Sequence, residues 1–159
     1  NGICEIANDN AEGQVIISGD TENVNAFQKT LKNKKIKSIP LKVSAPFHCS
    51  LMKTAAEKMK DKINNTAFKT PKFKIINNVT ATPETNIINI KKLLVNQIAS
   101  TVKWRESIIY MVEKGVKNLI EIGPGNVLTS MAKRSTNNLN YFSINSILDI
   151  QNLKNEFKK

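Results

Sequence analysis

Asn118-Leu119-Ile120-Glu121-Ile122-Gly123-Pro124-Gly125-Asn126-Val127-Leu128 is the stretch that decides the fold class. The run from Asn118 to Ile122 is too short for a helix and reads as a buried strand. It breaks at Gly-Pro-Gly, and beyond the break Val127, Leu128 and Met131 recur at helical spacing. Tyr141 to Ile144 then reads as a second strand. Strand, helix and strand in succession form a crossover unit with parallel strands, which places the chain in the α/β class.

Upstream, Ile3–Ala7 and Gln14–Ser18 read as two short strands, with Asn8 to Gly13 supplying the reversal. Val24, Phe27 and Leu31 mark one face of a helix that opens at Gly19-Asp20-Thr21 and ends in the lysines from Lys32. Alternation predicts a strand from Ile36 to Val43, with Pro40 marking an edge or a bulge. Met52, Ala55, Ala56, Met59 and Ile63 predict a helix, and Phe73, Ile75, Asn77 and Val79 a strand. Further helices are expected around Ile90, Leu94 and Ile98, from Trp104 through Val112, and in the tail from Leu148. No internal repeat or flexible linker interrupts this order.

The chain has 159 residues, 40% of them hydrophobic, enough for a domain with a sizeable core. No stretch has the length and apolarity of a membrane span, and nothing resembles a signal peptide, so a cytoplasmic protein is expected. Cys4 and Cys49 lie far apart with a single histidine to join them, which argues against a zinc site or a disulfide framework. Because Asn1 leads straight into a strand, the chain is expected to be the C-terminal part of a longer polypeptide, a removed leader being the alternative.

The formal charge is +11, with lysines gathered at Lys32 to Lys35, Lys58 to Lys62, Lys69 to Lys74, Lys91-Lys92 and Lys158-Lys159. A non-catalytic basic module that binds nucleic acid or another acidic partner is therefore one reading. Against nucleic acid, the surplus is spread over nearly every segment, arginine is scarce and aromatics make up only 6%. The excess of lysine, asparagine and isoleucine together also fits AT-rich codon usage. The few acidic residues are read as exposed helix positions, so no carboxylate pair suggests glycoside chemistry.

His48 is the only histidine, in Ser44-Ala45-Pro46-Phe47-His48-Cys49-Ser50-Leu51-Met52, at the expected passage from strand to helix. Imidazole can take and return a proton near neutral pH, and a helix start favours its neutral form. A packed or capping histidine is the other reading. No Gly-x-Ser-x-Gly elbow occurs, and Cys49 and Ser50, adjacent to His48, are poorly placed as its nucleophile. Gly123-Pro124-Gly125-Asn126 lacks a nucleotide fingerprint, since Leu128 stands where a third glycine is needed, and reads as a tight turn.

These residues resemble the C-terminal half of the malonyl-CoA:acyl-carrier-protein transacylase family of acyltransferases. The resemblance rests on Asn10 to Gly19, Leu41 to Met52, Asn77-Asn78-Val79-Thr80, Gln97 with Val102-Lys103-Trp104, and Glu121 to Leu128. Glu12 departs from it, since the family usually has proline there. The resemblance implies that residues 1–43 belong to a small ferredoxin-like subdomain. Residues 44–159 would be the C-terminal part of a hydrolase-like parallel-sheet subdomain. It also implies malonyl transfer from malonyl-CoA to the phosphopantetheine thiol of acyl carrier protein, through an acyl-serine. That serine, an arginine for the malonyl carboxylate and an oxyanion-hole glutamine would lie upstream, leaving this piece inactive and poorly soluble alone.

Within the resemblance His48 matches the histidine that accepts the serine proton. Gln97 matches the residue whose main-chain carbonyl orients that histidine, a role that suits a helix end with unpaired carbonyls. Asn10 and Gln14 match positions near the acyl pocket, although a turn-forming role explains Asn10 equally. Phe47 matches an aromatic that would crowd an α-methyl group and so select malonyl over methylmalonyl, core packing being the alternative. Trp104 reads as a core anchor. No metal or cofactor is implied, coenzyme A entering as a thioester substrate, and the full-length protein is expected to be a monomer that needs neither membrane nor nucleic acid. A polyketide-synthase-type acyltransferase domain is the alternative within the same chemistry.

Overall fold

The computed structural model describes residues 2–157 of the chain. Asn1 and the two terminal lysines, Lys158 and Lys159, lie outside the described residues. The chain opens with a hairpin of β1 (Cys4–Ala11) and β2 (Gln14–Gly19), antiparallel, with irregular register at Ala7 and Asn10. β1 is longer than the expected Ile3–Ala7, and the reversal contracts to Glu12-Gly13, where Gly13 takes the left-handed φ of 71°. Helix α1 (Thr21–Asn33) follows as expected, but none of its residues is buried.

The expected strand from Ile36 to Val43 does not form, and the segment runs as exposed, irregular chain. Its alternation is genuine, yet a strand needs a neighbour to accept its backbone hydrogen bonds, and none lies beside it among the described residues. Ile39 and Val43 are 68% and 63% exposed. The chain then makes a 3-10 turn, Ser50–Met52, which leads into α2 (Lys53–Asn65).

The strand expected from Phe73 to Val79 shrinks to β3 (Ile75–Ile76), paired with β4 (Pro83–Glu84). Asn86 caps α3 (Ile87–Asn96), its side chain accepting from the amides of Ile88 and Asn89 at 2.9 and 3.2 Å. A 3-10 turn, Gln97–Ala99, ends that helix, with Ser100 extended behind it. α3 packs on α2, and Lys91 ties the two by donating to the carbonyls of Asn64 and Thr66 at 2.7 and 2.8 Å. A cation there meets the negative end of the α2 dipole, so this lysine has a structural use.

Helix α4 (Trp104–Glu113) leads to β5 (Asn118–Ile122), α5 (Val127–Ser135), β6 (Asn140–Ile144) and α6 (Ile147–Glu156). β5 and β6 pair in parallel from Asn118 opposite Asn140 to Ile122 opposite Ile144, the crossover unit that the opening stretch implied. The core lies between α4, α5 and this sheet. Ile108, Ala132 and Leu139 are buried at its centre, packed by Trp104, Met111, Val112, Val116, Leu119 and Tyr141. Trp104 is thus a core residue.

β5 is not buried, contrary to the expectation from its apolar run: Ile122 is 81% exposed, and Ile120 is exposed as well. Alternation turns Leu119 toward the packed core and puts Ile120 and Ile122 on the opposite face, where packing among the described residues leaves them exposed. Exposed Ile147, Leu148, Ile150 and Phe157 extend the uncovered apolar surface along α6. Among the described residues no helix is long and apolar enough to cross a membrane. Produced as these 159 residues alone, the chain is expected to bind a fluorescent hydrophobic dye and to self-associate, measured by dye emission and light scattering. A dye-silent monomer would contradict this.

Candidate active site

His48 sits in a tight excursion between the irregular segment and the 3-10 turn. The Phe47 amide bonds to the carbonyl of Ala45 at 2.9 Å, and His48 adopts a left-handed backbone, φ 59°. That conformation costs energy for a residue with a Cβ, so the surroundings must hold it. Cys49 supplies one hold: it is fully buried, at 0% exposure, and its thiol donates to the carbonyl of Pro46 at 3.2 Å. A sealed thiol is a packing group, consistent with setting it aside as a nucleophile.

The imidazole is half-buried, with Nδ1 3.0 Å from the main-chain oxygen of Gln97. A carbonyl oxygen only accepts, so Nδ1 carries the proton, and the lone pair of the neutral ring resides on Nε2. Gln97 is available because α3 ends at Asn96 and the following 3-10 turn stops at Ala99. Two segments far apart in sequence therefore meet at one oriented ring.

Strand β1 supports both segments. The Glu5 carboxylate accepts from the Ser50 amide at 2.8 Å and from its hydroxyl at 2.6 Å, two residues beyond His48. These bonds hold the Glu5 carboxyl below its ordinary range. On the other side, Thr101 donates its hydroxyl to the carbonyl of Ile6, and Val102 bonds to Ala7 and Asp9 at 2.8 and 2.9 Å. Arg105 adds a forked pair to Asp9, with contacts of 2.6 to 3.1 Å.

The other expected site residues are distributed differently. Phe47 is adjacent to His48 and 47% exposed, so the described residues do not enclose it in a core. Asn10 is buried at an irregularity of β1, and Gln14 opens β2, where its Oε1 accepts from Arg134 at 2.9 Å. No hydrogen bond among the described residues joins either of them to His48 or Gln97. No group of three or more His, Cys, Asp or Glu among the described residues is placed to hold a metal.

The Gly123-Pro124-Gly125 turn forms the approach to α5, with φ of 144° and 88° at its glycines. Glu121, at the end of β5, accepts from the amides of Leu128 and Thr129 and the Thr129 hydroxyl at 3.1, 2.7 and 2.6 Å. Burial pushes this carboxyl up, but those hydrogen bonds, led by Thr129, outweigh it and hold it below the ordinary 4.5. Glu5, Asp9 and Glu121 thus correct the expectation that acidic residues occupy exposed helix positions: all three lie on strands and tie elements together. Glu5 and Asp9 find their partners 45 and 96 residues away, a spacing that leaves no local pattern.

The sequence profile of the acyl transferase domain matches residues 4–156, nearly the whole chain. The chain belongs to the acyl transferase domain family. The malonyl CoA-acyl carrier protein transacylase of Bacillus subtilis (strain 168) is 38% identical to it, over 97% of this chain and 50% of the relative. The crystal structure of the acyl-carrier-protein-S-malonyltransferase from Bartonella henselae superposes with a TM-score of 0.93 at 35% identity, over 99% of this chain and 50% of that one. A malonyl-transacylase solved in complex with a type II PKS acyl-carrier protein gives 0.91 at 38% identity, over 97% and 50%. The chain thus spans about half the length of the curated relatives it matches, and the α/β architecture is shared with these members of the family.

Glu121 sets an acid limit on this region. Because its folded value lies below the ordinary 4.5, its contribution is complete above that pH and is lost as pH falls through the lowered value. Glu121→Gln is expected to lower Tm at neutral pH and to flatten part of the decline below about pH 4.5, followed by circular dichroism. Identical curves for the two proteins would contradict the assignment.

Proposed function

We propose that this chain is the C-terminal portion of a malonyl transferase that carries malonyl from malonyl-CoA to the phosphopantetheine thiol of acyl carrier protein. The observation that carries the reading is the 3.0 Å contact between His48 Nδ1 and the Gln97 carbonyl, in a chain matched along nearly its whole length by the acyl transferase family. In this reading residues 1–43 complete a small ferredoxin-like subdomain, and residues 44–159 complete the larger hydrolase-like one. The missing half contributes the serine nucleophile.

Nε2 of His48 accepts the serine proton as the serine oxygen attacks the thioester carbonyl of malonyl-CoA. The Gln97 oxygen stabilises the imidazolium that forms and keeps the ring aimed. The tetrahedral intermediate collapses, the carbon–sulfur bond breaks, and the proton passes from Nε2 to the departing sulfur of coenzyme A. The carrier thiol then gives its proton to the same nitrogen and attacks the acyl-serine, and the serine oxygen leaves with that proton. No step calls for a cofactor. Asn10 and Gln14 are assigned to the acyl pocket and Phe47 to its selectivity. An acidic carrier protein is the partner proposed for the lysine-rich surface, ahead of nucleic acid or a membrane. A cytoplasmic monomer at full length is the proposed state.

The likeness to a transacylase solved with a type II PKS carrier protein favours one further reading, in which the carrier serves polyketide synthesis. Carrier proteins of both kinds belong in the test. With the serine-bearing half restored and malonyl-CoA supplied, mass spectrometry should show an acyl-enzyme and its transfer to carrier protein. His48→Ala should slow both steps by about 10²- to 10⁴-fold. Unchanged rates would refute the role of the ring. Phe47→Ala should raise the kcat/KM for methylmalonyl-CoA relative to malonyl-CoA by about ten-fold, the scale of one methyl group in a pocket. An unchanged ratio would assign Phe47 to packing.

A further inference from the structure

We infer that Glu5 is a positioning residue for His48, acting through Ser50 to set the ring against the Gln97 carbonyl. This inference rests on the reading of His48 as the proton acceptor. The observations that carry it are geometric. Glu5 uses both carboxylate oxygens on one residue, Oε2 on the Ser50 amide at 2.8 Å and Oε1 on its hydroxyl at 2.6 Å. Ser50 is the first residue of the 3-10 turn, whose opening amide has no partner within the turn. Cys49 cannot supply one from its side chain, because its thiol is turned back to Pro46. The remote carboxylate thus does the work that a local cap does elsewhere, and its charge strengthens both bonds.

The clamp matters because of what lies on either side of it. His48, two residues before Ser50, holds φ at 59°, a conformation its neighbours must enforce. Glu5 is followed directly by Ile6 and Ala7, whose carbonyls receive the Thr101 hydroxyl and the Val102 amide just beyond the Gln97–Ala99 turn. Three consecutive residues of β1 therefore hold the segments that carry the two partners of the His48–Gln97 contact, through Ser50 on one side and through Thr101 and Val102 on the other. Releasing Glu5 leaves the Gln97 side anchored and frees the His48 side, which changes ring placement more than overall folding. The lowered acidity range of Glu5 agrees with a carboxylate engaged by these donors.

The test uses the complete enzyme, with the serine-bearing half restored. Glu5→Ala should lower kcat for malonyl transfer by about 10- to 100-fold, the scale of an ångström-level misplacement, with KM for malonyl-CoA unchanged within about two-fold. Glu5→Gln, whose amide oxygen can still accept from the Ser50 amide, should recover part of that loss. Both are compared per folded enzyme, counted by circular dichroism and gel filtration, and Glu5→Gln and Ser50→Ala serve if Glu5→Ala does not fold. In a His48→Ala background, Glu5→Ala should cost nothing more, because its effect passes through the ring.

A Glu5→Ala enzyme with full kcat per folded molecule, or one altered only in Tm, overturns the inference. An equal loss with and without His48 overturns it too. If His48→Ala itself runs at full speed, the proposed function falls first, whereas a slow His48→Ala beside an unaffected Glu5→Ala removes only the role of Glu5.

Discussion

A single hydrogen bond, from His48 Nδ1 to the main-chain oxygen of Gln97, is the constraint around which the site is arranged. It fixes which nitrogen is free and where that nitrogen points, and a free imidazole has neither property fixed. The two residues come from the ends of unrelated segments, one a strained turn and the other a terminating helix. What brings them together is β1, through Glu5 on one flank and Ile6, Ala7 and Asp9 on the other. The hairpin at the start of the chain is therefore the frame that holds the proposed site together.

The same framework explains why so much apolar surface remains open. The core around Ile108 is closed, but β5, α6 and the segment from Ile36 to Val43 expose isoleucine, leucine and valine side chains. The chain spans about half the length of the relatives it matches, and among the described residues each sheet has two strands and little packs over these faces. The charge pattern has a similar double reading. Lys91 holds carbonyls at the end of α2, and Lys103 pairs with Glu106, so part of the lysine excess has a structural use.

Helices α1 to α5 and the parallel β5–β6 pair were legible in the sequence because each carries its own period or its own turn chemistry. Asn86 and the Gly-Pro-Gly break mark boundaries by mechanisms that act within a few residues. The strand expected at Ile36 to Val43 failed for the opposite reason: alternation records which side of a strand faces a core but does not supply the neighbour. His48 stood out in the sequence as the only histidine, whereas its pairing with Gln97, 49 residues away, came only from the resemblance. The bonds of Glu5, Asp9 and Glu121 were not legible, Glu121 although it stood in the quoted motif, because their partners are chosen by tertiary geometry and any strand carboxylate looks the same in one dimension.

That the acceptor at position 97 belongs to the backbone has an evolutionary consequence. Every amino acid brings the same carbonyl, so a missense codon there cannot delete the partner of the ring as it could delete an aspartate. Genetic drift is free to change the glutamine side chain so long as α3 still ends where it does. The vulnerability moves to residues that determine the helix terminus and the path of β1, a set spread thinly over many codons. Conservation of the hydrogen bond need not appear as conservation of that letter.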